Sequence, residues 1–283
     1  MNHLTGISVG IISFGIFWAL GAFFNVSAQS RIIQTGGFLG RTDVVSTEAV
    51  MTTHANMTTD DIVRKGIDVS VVPSELSNRE YSWSNVSDDY ETAGMLDLID
   101  HELGEYSSDY LRKIGLHRIV LVDNIKNSSS QPVLGFSDPQ AGEIYLNSVA
   151  TDGEYSRTVI AEQTVHHEIG HFLAYSEYGV LFERRSEWPM VSEEDSYAKQ
   201  ASSKSEYFPE DGFVSRYAMT SASEDFAEVY SLIYTDDFQS ELSGQARSSQ
   251  ILDSKLRITY QMINRVDANQ CLGSFQALDQ ACR

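Results

Sequence analysis

Residues 158–175 read TVIAEQTVHHEIGHFLAY. Val165, Ile169, Phe172 and Leu173 recur at spacings of three and four, the period of an α-helix with one apolar stripe. Set in that helix is His167-Glu168-Ile169-Gly170-His171. Histidines at i and i+4 stand on one helical face, one turn apart, so both imidazoles can reach a single Zn2+ at about 2.0–2.1 Å. Glu168 lies about 100° further round the helix, beside such an ion rather than on it. That place suits a general base taking a proton from zinc-bound water, whose pKa the metal lowers to about 7. Chance alone predicts this spacing on the order of 0.01 times in a chain of this composition. The competing reading is a surface helix with two solvated histidines. The apolar stripe argues against it, because it makes the helix half-buried. His166 points about 100° away from His167 and reads as a surface or supporting histidine, not a ligand.

A catalytic zinc needs a third protein ligand and an open position. A ligand six residues after the second histidine, with Gly at the third, is ruled out, because those positions hold Ala174 and Glu177. The other source is a later helix, and Ser223-Glu224-Asp225-Phe226-Ala227-Glu228 offers one. Glu224 and Glu228 are four apart and share a face. One carboxylate can bind the metal while the other accepts the free N–H of a ligating histidine and fixes its tautomer. Ser221-x-x-Glu224 also reads as a capping box, which would make Glu224 a cap and Glu228 the ligand.

The run from His167 to His171, then Tyr217, then Glu224-Asp-Phe-Ala-Glu228 resembles the gluzincin-type metallopeptidases. It is similar to the putative zinc-binding metallopeptidases of bacterial envelope proteins and to the catalytic domain of anthrax lethal-factor-like peptidases. The resemblance covers roughly residues 90–265. It implies an α+β zincin-like fold with a small mixed sheet, and His167, His171 and Glu224 as ligands to one Zn2+. It also implies Glu168 as the base and Tyr217 as donor to the oxyanion, with a second Glu, here Glu228, four residues after the ligating one. A phenol at that place can stabilise a developing negative charge; packing under a loop is its other reading. In such folds a strand edge beside the metal pairs with extended substrate, and residues 143–148 are the candidate edge.

Outward from this core, the chain divides by charge. Lys plus Arg is 20 and Asp plus Glu is 40, a formal net charge of −20 over 283 residues. That excludes a nucleic-acid binder, which needs a basic footprint. Three carboxylates, Glu168, Glu224 and Glu228, have chemistry assigned; the others read as solvated surface suited to a saline exterior or to basic substrates. The first charged side chain is Arg31. Leu4–Phe24 is uncharged and about the length of a bilayer core, and Val26-Ser27-Ala28 has the small residues of a cleavage site. Residues 1–28 are thus a signal peptide or an N-terminal membrane anchor, and the body faces an extracytoplasmic space: secreted, periplasmic or envelope. Cys271 and Cys282, an even pair near the C-terminus, read as one disulfide. Asn-x-Ser/Thr sequons begin at Asn25, Asn56, Asn85 and Asn127.

The rest of the body reads as follows. Residues 29–65 are a linker or arm, 66–270 the metallopeptidase domain and 271–283 a tail. A strand is expected at 67–72, one helical stripe from Asp89 to Ile114, a strand at 117–122, a Ser/Pro/Gly-rich loop at 127–142 and a strand at 143–146. Residues 183–212 form a polar insertion without period or role. Helices follow at 223–234 and 251–266. This mixture without regular βαβ alternation is α+β. The function expected is an extracytoplasmic zinc-dependent metallopeptidase acting on a peptide or protein substrate. The other readings are a catalytically silent peptide binder on the same fold and a zinc amidase acting on cell-wall peptide.

Overall fold

Ile119, Val120, Leu121 and Val122 are all buried, and a continuous apolar run of this kind belongs to a strand covered on both faces. A computed structural model of the chain describes residues 65–71, 76–77, 80–86, 89–148, 159–192, 197, 205–268 and 270. The leader, the arm as far as residue 64, the sequons at Asn25 and Asn56 and the Cys271–Cys282 pair lie outside the described residues. The elements are β1 (Asp68–Val71), β2 (Leu76–Ser77), β3 (Tyr81–Ser84), α1 (Asp89–Gly104), α2 (Ser108–Ile114), β4 (Arg118–Asn127), β5 (Gly135–Asp138) and β6 (Glu143–Asn147). There follow α3 (Val159–Tyr178), α4 (Phe182–Arg185), α5 (Trp188–Val191), α6 (Ala222–Tyr234), α7 (Asp236–Ser248) and α8 (Gln250–Val266). The class is α+β with a small mixed sheet.

β4 is the hub of the sheet. Its first half pairs in parallel with β1 and β6, and its second half pairs antiparallel with β3. Ile119 and Leu121 face the helices together with Ile144 and Leu146 of β6. Val120 and Val122 face the other way, into a second cluster with Tyr81, Trp83 and Phe136, where the Tyr81 ring stacks on Phe136 at 4.0 Å.

Several expectations need correction. The stripe from Asp89 to Ile114 is two helices, because the Ser107 hydroxyl accepts the Tyr110 N–H at 3.0 Å and starts α2 afresh. β4 runs to Asn127, past the expected end at Val122. Asn124 takes a left-handed φ of +53°, which lets an extra residue of β4 bulge against β3. The loop expected at 127–142 contains β5, and β5 occupies β6's second edge. Residues 143–147 are therefore an interior strand, not the edge; among the described residues, the free edge on that side is β5. The segment from 183, expected as a polar insertion, enters the core at Trp188 on α5, which is wholly buried. α7 had no counterpart in the sequence reading.

α3 is also more enclosed than a half-buried helix. From Ala161 to Ala174 every residue but Glu162 and His171 is buried, because α3 meets β5 on one side, α1 on another and α6 on a third. The closest approach is to α6. A Cβ on Gly170 would stand 3.1 Å from the Ala227 Cα and 3.2 Å from the Tyr230 Cβ. A mid-helix glycine costs about 1 kcal/mol against alanine, and this contact is the reason for it. Gly170→Ala should lower Tm by several degrees in a thermal melt, as overpacking of about 1–3 kcal/mol exceeds the gain in helix propensity. A variant that melts at or above wild type would show that α6 yields without cost.

Candidate metal centre

His167 and His171 project from one face of α3, three residues before and one residue after Gly170. α6, held close at that glycine, brings Glu224 and Glu228 to them. Nε2 of His167 lies 3.1 Å from Nε2 of His171 and 3.1 Å from Oε2 of Glu224, and the latter two atoms are 3.3 Å apart. Ligands about 2.0–2.2 Å from a tetrahedral Zn2+ stand about 3.3–3.6 Å from one another. This nearly equilateral set of two imidazole nitrogens and one carboxylate oxygen therefore fits zinc in size and in donor chemistry. Among the described residues it is the one group of three or more such side chains close enough to hold an ion.

The far side of each imidazole is held as well. His167 Nδ1 stands 2.9 Å from Oε1 of Glu228. With the proton on Nδ1 donated to that carboxylate, Nε2 turns its lone pair to the centre. His171 Nδ1 stands 3.3 Å from Oγ of Ser223. Ser223 was not foreseen, for a serine in a serine-rich chain carries no signal of type or period. Of the capping-box reading only the serine half is found. The Ser221 hydroxyl accepts the backbone N–H of Glu224 and caps α6, while the Glu224 side chain leaves the cap for the histidines.

The charges here favour a cation. Burial alone would raise the Glu224 pKa, but the charge of His171 and hydrogen bonds to both imidazoles outweigh it and bring the carboxyl to about 2. Burial alone would lower His167, but Glu224 and Glu228 hydrogen-bonded to its two nitrogens hold its pKa well above the ordinary value. A proton there occupies the place a metal would take.

Glu168 is buried beside this centre, and its pKa is raised by burial against the pull of His167 and His171. Its Oε1 has no hydrogen-bond partner, while Ser137 of β5 hydrogen-bonds the carboxylate. Ser137 too was missed, because its strand lies in a stretch that reads as loop. Tyr217 begins a 3-10 turn just before α6, its ring centroid 5.8 Å from that of His167. Its hydroxyl is buried without a well-formed hydrogen bond. Burial first, then the charges of Glu224, Glu168 and Glu228, push its pKa far up, so it stays a neutral donor. Two orphaned polar atoms beside the triad are what a site that receives a ligand would leave in its absence.

His166 is not a surface residue. It is wholly buried on another face of α3, its Nε2 2.9 Å from Glu102 and its Nδ1 2.7 Å from the Tyr106 hydroxyl. It ties α3 to α1 and takes no part in the triad. Glu177, too far along α3 to return to the centre, pairs with Arg265 at 2.8 Å.

Two binding measurements follow. Glu224→Ala should leave no stoichiometric zinc on the purified protein, while Glu228→Ala should retain zinc with affinity weakened about 10- to 100-fold; the reverse order would make Glu228 the ligand. Zinc should also displace the His167 proton, so its apparent affinity falls as pH falls. Calorimetric titration in buffers of different ionisation enthalpy reads that proton, and buffer-independent heats would contradict its release.

Residues 95–263 match the family model described as "putative zinc-binding metallo-peptidase". A search of curated proteins finds no match. Among solved structures, the crystal structure of a putative zinc-binding metallo-peptidase from Bacteroides caccae is similar to this chain. It is 16% identical, the match covers 80% of this chain and 94% of that one, and the TM-score is 0.46.

Proposed function

The chain belongs to the putative zinc-binding metallo-peptidase family, and from that premise we propose that it is an extracytoplasmic zinc-dependent metallopeptidase that hydrolyses peptide bonds in peptide or protein substrates. The observation that carries this reading is the juxtaposition of a zinc-sized donor triad with a buried carboxylate and a buried phenol, each holding an unpartnered oxygen. A protein that only stored or used zinc structurally would have no use for either atom.

His167, His171 and Glu224 would hold the ion, with Glu228 and Ser223 orienting the two imidazoles. Zinc so held supplies a Lewis acid that polarises the scissile carbonyl and acidifies water to a pKa of about 7. Glu168 accepts the proton of the attacking water. The oxygen of that water bonds to the carbonyl carbon, the C–N bond breaks, and Glu168 returns the proton to the departing amine. Its raised pKa suits both halves of that exchange, since a base too weak could not take the proton and an acid too weak could not give it back. Tyr217, neutral and without a well-formed hydrogen bond of its own, donates to the oxygen that gains negative charge. Beside Glu168, the edge of β5 that is free among the described residues offers backbone groups with which an extended substrate can pair, a role that fits β5 where β6 is excluded by its two neighbours. The extracytoplasmic placement is supported by the uncharged leader from Leu4 to Phe24. Among the described residues no helix is long and apolar enough to cross a membrane.

Glu168→Gln should lower cleavage of an unfolded protein such as casein by at least about 100-fold while stoichiometric zinc remains. Full activity in that variant would refute the assignment, and zinc-loaded wild type that cleaves peptidoglycan fragments but not casein would favour the amidase. Tyr217→Phe should reduce kcat about 100- to 1,000-fold with little change in KM. An equal loss carried wholly by KM would place the phenol in substrate binding instead.

A further inference from the structure

Directly behind Glu224, the next residue of α6 makes a buried ion pair that the chemistry above does not use. Asp225 and Lys255 are both wholly buried, and Nζ of Lys255 stands 2.6 Å from Oδ2 of Asp225. The same oxygen accepts the indole N–H of Trp188 at 2.8 Å and the hydroxyl of Tyr197 at 2.8 Å. The ammonium also donates to the backbone carbonyl of Gly212 at 2.7 Å and lies 4.1 Å from the centre of the Phe213 ring.

Such a pair is expensive to bury, and apolar residues of the same volume stabilise a fold as well or better. What it provides in exchange is a fixed geometry between chain segments remote in sequence. Here those segments are α6 one residue past Glu224, α8, the short helix carrying Trp188, and the loop that delivers Tyr217. From Gly212 to Tyr217 that loop has no slack. Gly212 has φ +81°, and a Cβ on it would fall 2.4 Å from Ile251 of α8. The carbonyl of Val214 accepts the Phe208 N–H at 2.9 Å, and the Ser215 hydroxyl accepts the Ala218 N–H at 2.9 Å. At the far end, no well-formed hydrogen bond holds the Tyr217 hydroxyl. The phenol's position is thus set by the backbone that carries it, anchored on one side at Gly212 and on the other by the turn that leads into the Ser221 cap of α6.

We propose that Lys255, paired with Asp225, is a positioning residue that fixes the Tyr217 phenol relative to Glu224, with Trp188 and Tyr197 holding the Asp225 carboxylate in place. This gives Trp188 and Tyr197 a role: they buttress the anchor through the Asp225 carboxylate. The inference rests on the reading of Tyr217 as oxyanion donor.

The test replaces Lys255→Met, and also the neutral pair Asp225→Asn with Lys255→Met, which leaves no buried charge unpaired and keeps the fold testable. Amide hydrogen exchange should speed up across Phe213–Met219 in the pair variant, while the cores of α3 and α6 keep their protection and zinc stays stoichiometric. With a peptide substrate, kcat should fall about 10- to 100-fold with KM within about threefold. Adding Tyr217→Phe to the pair variant should then cost far less than it does in wild type, the non-additivity of two residues acting through one contact. Unchanged exchange across Phe213–Met219, or strictly additive kinetic losses, would overturn the proposal. A wild-type protein that cleaves no peptide would instead overturn the functional reading, and the exchange measurement would still decide whether the anchor holds the loop.

Discussion

The contact between α3 and α6 at Gly170 governs the rest of the molecule. A helix pair can come this close only where one partner lacks a side chain and the other presents a small one, and Gly170 against Ala227 meets both conditions. The two histidines straddle the contact on α3, and Glu224 and Glu228 straddle it on α6. Side chains of that length can then meet across the interface with nitrogen and oxygen atoms 3.1–3.3 Å apart. A wider crossing would leave the same residues in the same order along the chain without bringing their tips together.

The metal centre is costly to the fold. Three carboxylates and two imidazoles are gathered where water is scarce, and two of the polar atoms beside them lack partners. Each orphan costs about 1–3 kcal/mol. The offset comes from what surrounds it: α3 is enclosed by sheet and helices, and the packing of Ile169, Phe172, Phe226 and Tyr230 around the crossing is complete. The electrostatics lean the same way. The carboxylates that raise the His167 pKa also present a cation with compensating negative charge.

The helical part of this arrangement was legible in the sequence, because a period of 3.6 fixes which residues share a face whatever packs against them. That is why His167, His171 and Glu168 could be placed on α3, and Glu224 and Glu228 on α6, without knowing the fold. What the period does not reveal is the partner. His166 lay on a known face, but that the face would be met by Glu102 and Tyr106 depends on α1 and the turn after it, some sixty residues earlier. β5 escaped because four residues flanked by Pro132, Pro139 and glycines carry no strand period of their own; their pairing with β6 makes them a strand. The two serines that touch the site, Ser137 and Ser223, escaped for the simplest reason, that their residue type is everywhere in the chain. Trp188 was hidden by the charged residues around it, although a lone tryptophan in a polar stretch is itself a sign of an anchor.

The acidic composition also takes on a different sense. Beyond the three carboxylates at the centre, Glu102, Asp123, Asp225 and Asp267 are buried as well, so they are not part of a solvated surface. Each joins elements distant in sequence. Glu102 meets His166, between α1 and α3; Asp123 accepts from Ser148, between the middle of β4 and the residue after β6; Asp225 meets Lys255, between α6 and α8; Asp267 accepts from Ser107, between the end of α8 and the start of α2. A buried carboxylate is tolerated only with its partners in place, so each acts as a cross-link that forms only when both elements have reached their native positions. Hydrophobic burial would hold these helices together over a range of small displacements. The carboxylates narrow that range to one arrangement, and a site whose three donor atoms must meet within a few tenths of an ångström depends on that narrowing.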